Sequence, residues 1–290
     1  MKKKIATPSK TKQILRQNEI RLKKSLGQNF LVDYNIIDKI AAGADLNKGD
    51  YVIEIGPGIG SLTQKLAEEA EEVWAIELDE RLISILKDNL NAYDNINYIH
   101  ADALEYDFQG LLNNLDGSSV KVVANLPYYI TTPIIMRLLE ERLDLDRVVV
   151  MVQKEVAERM VATPEDGKDY GSLSLAVQYY SEPIIYAHVP KNVFIPQPKV
   201  DSAVVSMQIR EEPPVEVKDK ELLFSIIKAA FQQRRKTIRN SLSKAANIDL
   251  ERDLVDAALA KVEIDSRRRG EKLTLERFAD LSNTIFNLLN

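Results

Sequence analysis

Tyr51-Val52-Ile53-Glu54-Ile55-Gly56-Pro57-Gly58-Ile59-Gly60-Ser61 decides the fold of this chain. The apolar, β-branched run Tyr51–Ile55 reads as a strand, and the residues from Ser61 onward read as the start of a helix. The glycines between them permit a tight turn and a close backbone approach to a ligand. A helix beginning there presents unpaired N–H groups and a partial positive charge to an anion. Outward from this unit, apolar runs at Val73–Leu78, Ile96–His100, Val120–Asn125 and Val148–Gln153 alternate with amphipathic stretches such as Ser61–Ala70 and Arg81–Leu90. Runs apolar on both faces are those of parallel strands covered by helices. A spacing of about 20–27 residues per strand–helix unit predicts an α/β fold with a Rossmann-like, doubly wound sheet.

The pattern then changes. Ile184–Val189 and Ala203–Ile209 are separated only by a loop with three prolines, Pro190, Pro196 and Pro198, so no crossover helix intervenes. An antiparallel hairpin at the sheet edge is expected. Arg210–Glu216, with Pro213-Pro214, reads as a linker, and beyond it Leu223, Ile227 and Phe231 begin a purely helical periodicity. The expected organisation is a basic arm over 1–24, an α/β domain over 25–210, a linker over 211–218 and a small α-helical domain over 219–290.

Composition narrows the function. The 290 residues include no Cys and two His, His100 and His188, which excludes disulfides, thiol nucleophiles and Cys-rich zinc or iron–sulfur sites. No metal is expected. No apolar run approaches the roughly 18 residues of a membrane span, and Ile5–Lys10 is not the apolar core of a signal peptide, so a cytoplasmic protein is expected. The net charge of −5 conceals an asymmetry: residues 1–24 hold nine Lys/Arg and one acid, and Lys228–Lys244 hold six Lys/Arg and none. Arg234, Arg235, Lys236 and Arg239 from that cluster, with Arg268 from Arg267-Arg268-Arg269, are the candidate phosphate contacts.

Glu77 closes the second strand 21 residues after Gly56, where an acid can accept hydrogen bonds from ribose hydroxyls. The pattern so far admits either NAD or S-adenosylmethionine. The spacing G-x-G-x-G departs from the G-x-G-x-x-G dinucleotide fingerprint. Asp102, just after the third strand, can accept from an adenine amine. The ordered set Gly56, Glu77 and Asp102 favours S-adenosylmethionine.

Asn125-Leu126-Pro127-Tyr128 closes the fourth strand and carries the chemistry. An adenine amine is a poor nucleophile, because its lone pair is delocalised into the ring. The Asn125 side-chain oxygen and the Leu126 carbonyl can accept its two N–H groups, with Pro127 stiffening the turn that aims them. Tyr128 can stack on the base, and Phe194, in a proline-rich loop, is the candidate for its other face. A nicotinamide-dependent oxidoreductase would leave the Asn-x-Pro-Tyr motif unexplained.

These residues and others resemble a known family, the bacterial ribosomal RNA small-subunit adenine dimethyltransferases, whose loss gives kasugamycin resistance. The matching stretches are Leu26–Leu31, Glu54–Gly58, Asn125–Ile130, Gln153–Arg159, Phe194–Val204, Phe231–Thr237 and Arg268–Glu271, spread over nearly the whole chain. The resemblance implies dimethylation of two adjacent adenosines in a hairpin near the 3′ end of 16S rRNA, in the 30S subunit, with S-adenosylhomocysteine as product. It also implies Asn29, Leu31, Gly56, Glu77, Asp102 and Asn125 as cofactor contacts; Asn29 and Leu31 come from the resemblance alone and suggest that their segment folds over the cofactor. A monomer is expected. Related 23S rRNA methyltransferases of the macrolide-resistance type share the Asn-x-Pro-Tyr core but tend toward Asn where this chain has Asp201. A binding-only assembly or transcription factor on the same fold is the remaining alternative.

Overall fold

The structure is a computed structural model and describes residues 4–20, 27–115 and 119–290. It divides into two compact units, one of residues 1–157 with 182–209, the other of residues 158–181 with 210–290.

The first unit opens with helix α1 (Pro8–Gln17), capped by the Thr7 hydroxyl on the Lys10 amide. A two-residue strand, β1 (Phe30–Leu31), and helix α2 (Tyr34–Ala44) follow. Five strands with intervening helices come next: β2 (Tyr51–Ile55), α3 (Ser61–Glu69), β3 (Glu72–Glu77), α4 (Glu80–Asn89), β4 (Ile96–His100), α5 (Phe108–Leu112), β5 (Val120–Asn125), α6 (Thr131–Glu140), β6 (Arg147–Gln153) and α7 (Lys154–Val161). Helix α8 (Ser172–Tyr180) belongs to the second unit, and the chain returns through β7 (Ser181–Val189), β8 (Phe194–Ile195) and β9 (Ser202–Ile209).

The main sheet has the order β4-β3-β2-β5-β6-β9-β7. Strands β2 to β6 are parallel neighbours, and β9 runs antiparallel to β6, with Val150 opposite Val205. The apolar runs end within three residues of the observed strands. Burial explains their composition: Val52, Ile53, Val122, Val123, Val148, Val149, Val150 and Val152 are all fully enclosed. Each such side chain contributes roughly 1.5–3 kcal/mol. The expected edge pair, β9 and β7, lies side by side at the end of the sheet.

The sequence pattern missed a second, two-stranded sheet. β1 pairs antiparallel with β8, Phe30 opposite Ile195 and Leu31 opposite Phe194, and the Val32 amide continues the ladder to the Val193 carbonyl at 2.9 Å. Two residues per strand are too few to show a periodicity.

The described residues of the expected basic arm pack against the fold. Ile5, Ala6, Thr11 and Ile14 are buried, and the Ile5 amide donates to Gln64 Oε1 at 3.0 Å. Residues 4–20 are therefore a packed helical segment with Lys12 and Arg16 on its outer face. Lys2, Lys3, Arg21, Lys23, Lys24 and the first matched residue, Leu26, lie outside the described residues.

The second unit combines α8 with α9 (Lys220–Gln232), α10 (Ile238–Leu242), α11 (Arg252–Lys261) and α12 (Leu275–Leu289). Its extent differs from the expected 219–290, because residues 158–181 group with the C-terminal helices. The cause is aromatic: Tyr179 and Tyr180 of α8 meet Phe224 of α9 at ring separations of 5.2 and 5.9 Å, and Tyr170 meets Phe231 at 5.8 Å. Among the described residues no helix is long and apolar enough to cross a membrane.

At the end of β5 remote from Asn125, Lys121 is almost fully buried. Its Nζ donates to Asp50 Oδ2 at 2.7 Å and to the Asp45 carbonyl at 2.6 Å. Removing the cation leaves the Asp50 charge enclosed without its partner. Lys121→Ala is expected to lower the unfolding free energy by about 3–5 kcal/mol in urea titrations.

Candidate functional site

Strand order reverses between β2 and β5: the connections from β2 lead to β3 and β4, and those from β5 lead to β6. A crevice therefore opens at the carboxyl ends of these two strands. The pocket there is lined by the turn Glu54–Ile59, by Glu77 after β3, by Asp102 after β4, by Asn125–Ile130 after β5, and by Gly27–Leu31 with Phe194. Every sequence-predicted cofactor residue lines it: Asn29, Leu31, Gly56, Glu77, Asp102 and Asn125. So do Leu126, Pro127, Tyr128 and Phe194.

The glycine turn is required by two close approaches. Gly58 has φ +61°, and a Cβ there would lie 3.1 Å from the Phe30 ring of β1. Gly60 has φ +91°, and a Cβ there would meet Leu86 and Leu90 of α4 at 2.9 Å. Gly60 is also the N-cap of α3 and carries no side chain to satisfy the first amides. Asp33, Asp107 and Asp219 do cap α2, α5 and α9. The N-terminus of α3, which reaches the pocket through Ser61 and Leu62, keeps its positive end for a ligand.

Glu77 is held by two backbone amides, Gly58 to Oε2 at 3.1 Å and Asp79 to Oε1 at 2.9 Å. Burial pushes its carboxyl up, and those two amides pull it back down. This geometry fixes the carboxylate plane and leaves each oxygen a further lone pair for a ribose hydroxyl. Asp102 Oδ1 accepts the Leu104 amide at 2.8 Å, which sets the turn after β4. The Asn125 Nδ2 donates one hydrogen bond to the Asn29 carbonyl at 3.4 Å. The Pro127 carbonyl is occupied by the Ile130 amide and the Thr131 hydroxyl, which closes the turn behind Leu126. Tyr128 is half-buried, and its hydroxyl lies 2.8 Å from Ser202 Oγ. Phe194 is only 4% exposed and belongs to the core as well as to the pocket wall.

Three further residues were not assigned a role from the sequence. Glu54 is fully buried, and its Oε2 has no hydrogen-bond partner; Ser61 Oγ is likewise unpaired. Burial pushes the Glu54 carboxyl up to about 8, against the pull of Thr63, with the charge of Glu77 adding to the rise. An acid within an apolar strand was the available signal. Tyr129 is 53% exposed yet lines the pocket, with its hydroxyl raised by burial and by the charges of Asp102 and Glu77. The donor set therefore fits a zwitterionic nucleoside. A carboxyl that can accept from an ammonium (Glu54), a hydroxyl and a bare helix end for a carboxylate (Ser61, α3), and two acids for ribose and adenine all line one pocket.

In the second unit the predicted cations separate into two kinds. The Arg234 guanidinium donates to the carbonyls of Lys168 at 2.7 Å, Gly167 at 3.2 Å and Tyr170 at 2.6 Å. Arg239 pairs with Asp256 through both ends of its guanidinium. Both of these expected phosphate contacts are engaged with the protein's own groups in this structure. Arg235, Lys236 and Arg268 are exposed, and the Ile238 amide, donating to the Arg268 carbonyl at 2.7 Å, brings their segments together.

This fold and pocket define an S-adenosylmethionine-dependent methyltransferase. The model of the family described as "Ribosomal RNA adenine dimethylase" matches residues 19–286, and the chain belongs to that family. It is 51% identical to "Ribosomal RNA small subunit methyltransferase A" of Alkaliphilus oremlandii, over 97% of this chain and 98% of that protein. It is 51% identical to the protein of the same name from Bacillus licheniformis, over the whole of both. Among solved structures it resembles a dimethyladenosine transferase from Plasmodium falciparum (TM-score 0.74, 27% identity, 87% of this chain and 95% of that one). It also resembles the 23S rRNA methyltransferase ErmE (TM-score 0.68, 27% identity, 89% and 99%).

The raised Glu54 carboxyl has a signed consequence. The native state holds a proton that the unfolded chain releases above its ordinary value of 4.5, so this group's contribution to stability falls as pH rises from about 4.5 to about 8. Glu54→Gln is expected to remove that slope and to stabilise the ligand-free protein at pH 8, while weakening S-adenosylhomocysteine binding; urea titrations from pH 5 to 9 and calorimetry measure both. Arg234→Ala is expected to cost about 1–3 kcal/mol of stability, read as a fall in unfolding midpoint.

Proposed function

We propose that this chain transfers methyl groups from S-adenosylmethionine to the N6 amines of two adjacent adenosines near the 3′ end of 16S rRNA in the small ribosomal subunit. The products are dimethyladenosines and S-adenosylhomocysteine. The observation that carries the reading is the placement of Asn125 at the end of β5 in the pocket, where its Nδ2 donates one hydrogen bond to the Asn29 carbonyl and its Oδ1 is the acceptor atom of the side chain. The names and near-complete coverage of the 51% identical relatives support the small-subunit substrate.

The bound sulfonium supplies an electrophilic methyl group. Asn125 Oδ1 and the Leu126 carbonyl accept from the two N–H groups of the target amine. These acceptors favour the positive charge that develops on nitrogen during transfer. The alkylated ammonium is acidic, so no strong base is needed. The adenosine flips out of its RNA context to reach the pocket, which opens at the end of a crevice. Tyr128 and Phe194 hold its two faces, stacking being worth roughly 1–3 kcal/mol per base. Gly27–Leu31 cover the cofactor side through the β1–β8 pairing. Arg235, Lys236 and Arg268 of the second unit contact phosphates, and the protein works as a cytoplasmic monomer.

The likeness to ErmE favours a second reading, methylation of the large-subunit RNA. One assay separates the two. The enzyme is given methyl-labelled cofactor with undermethylated small subunits, large subunits or naked 16S rRNA, and the labelled nucleosides are identified. Label in dimethyladenosine of small subunits is expected; label in large subunits transfers the protein to the second reading. Asn125→Ala is expected to abolish transfer and to spare subunit binding. The triple variant R235E/K236E/R268E is expected to weaken subunit binding and to flatten its dependence on salt; an unchanged slope removes these residues from the interface.

A further inference from the structure

Asp201 and Ser202, for which the proposed reaction has no task, stand where the two ring-bearing segments meet. Ser202 opens β9, is fully buried, and its Oγ shares a hydrogen bond with the Tyr128 hydroxyl at 2.8 Å. One residue earlier, Asp201 Oδ1 accepts the Lys191 amide at 2.9 Å. Lys191 begins the short 3-10 turn Lys191–Val193 that leads directly into Phe194. The dipeptide is itself fixed to the main sheet. The Asp201 carbonyl accepts the Lys154 amide at 3.0 Å, and Ser202 lies opposite Gln153 in the β6–β9 ladder.

One rigid corner therefore holds both rings, by different means. The turn through Pro127 fixes the backbone of Tyr128 but leaves its χ angles free. A hydrogen bond at the far end of the ring restricts both angles at once. The Phe194 segment is tied by Asp201 on one side and by Leu31 and Val32 of the β1 ladder on the other. We propose that Asp201-Ser202 is a positioning pair that sets the separation and tilt of Tyr128 and Phe194, and so the slot that receives the target base. This rests on the reading that the two rings hold that base. Misplacing a reactant by a fraction of an ångström lowers the rate of transfer without touching the cofactor contacts.

The test uses the full-length enzyme, undermethylated small subunits, and the variants S202A, Y128F, S202A/Y128F, D201A, D201N and Y128A. S202A and Y128F are each expected to lower kcat about three- to ten-fold, the range set by one neutral hydrogen bond. S-adenosylhomocysteine affinity by calorimetry is expected to stay at the wild-type value. Because both variants delete the same bond, the double variant is expected to be no slower than either single one. D201A is expected to lower kcat as well, and D201N, which keeps an acceptor oxygen for the Lys191 amide, to recover most of that loss. Wild-type kcat in S202A and Y128F, or losses that multiply in the double variant, overturns the proposal. Y128A separates the two layers: an inactive Y128A beside fully active S202A and Y128F removes only the positioning pair, whereas a fully active Y128A removes the stacking reading and the pair together.

Discussion

Strands β2 and β5 lie side by side while their connections depart in opposite directions, and the site depends on that one topological constraint. No helix can cross the carboxyl ends of both strands, so a crevice remains between the Glu54–Ile59 and Asn125–Ile130 turns. Gly56, Glu77 and Asp102, proposed for the cofactor, follow β2, β3 and β4, and Leu126, proposed for the target amine, follows β5; Asn125, proposed for both, stands at that seam.

Electrostatics divides the sheet between its two ends. At the amino end of β5, the Lys121 charge is enclosed but fully answered by Asp50 and the Asp45 carbonyl. At the carboxyl end of β2, Glu54 is enclosed and incompletely answered. The first arrangement holds the strands together, since loss of either partner strands a charge in the interior. The second reduces the stability of the ligand-free protein and holds polarity in reserve for a ligand.

The small β1–β8 sheet gives the pocket its second wall. Leu31 opposite Phe194 joins the segment assigned to the cofactor with the loop assigned to the base. Gly58 allows the Phe30 ring to sit against the glycine turn, so the same strand also touches the cofactor loop. In the second unit, Arg234 donates to three carbonyls, whereas Arg235, Lys236 and Arg268 are exposed.

The main sheet is legible in the amino-acid sequence, because a strand buried on both faces must be apolar along its length, and five such runs separated by amphipathic helices admit few topologies. It also marked the glycine turn, Glu77, Asp102 and Asn125–Tyr128, because these follow strand ends where a ligand-bearing crevice falls. Asn29 and Leu31 were reached only through family resemblance. Two paired residues carry no periodicity, and their partners, Ile195 and Phe194, are more than 160 residues away. Only the tertiary structure separated the cations that bind this protein's own carbonyls and carboxylates from those that face solvent, since charge in a sequence does not record its partner. It alone moved residues 158–181 to the helical unit, where Tyr179 and Tyr180 find Phe224, and it alone joined Ser202 to the Tyr128 hydroxyl and Asp201 to the Lys191 amide. Contacts between distant segments are chosen by packing, which a local pattern does not encode.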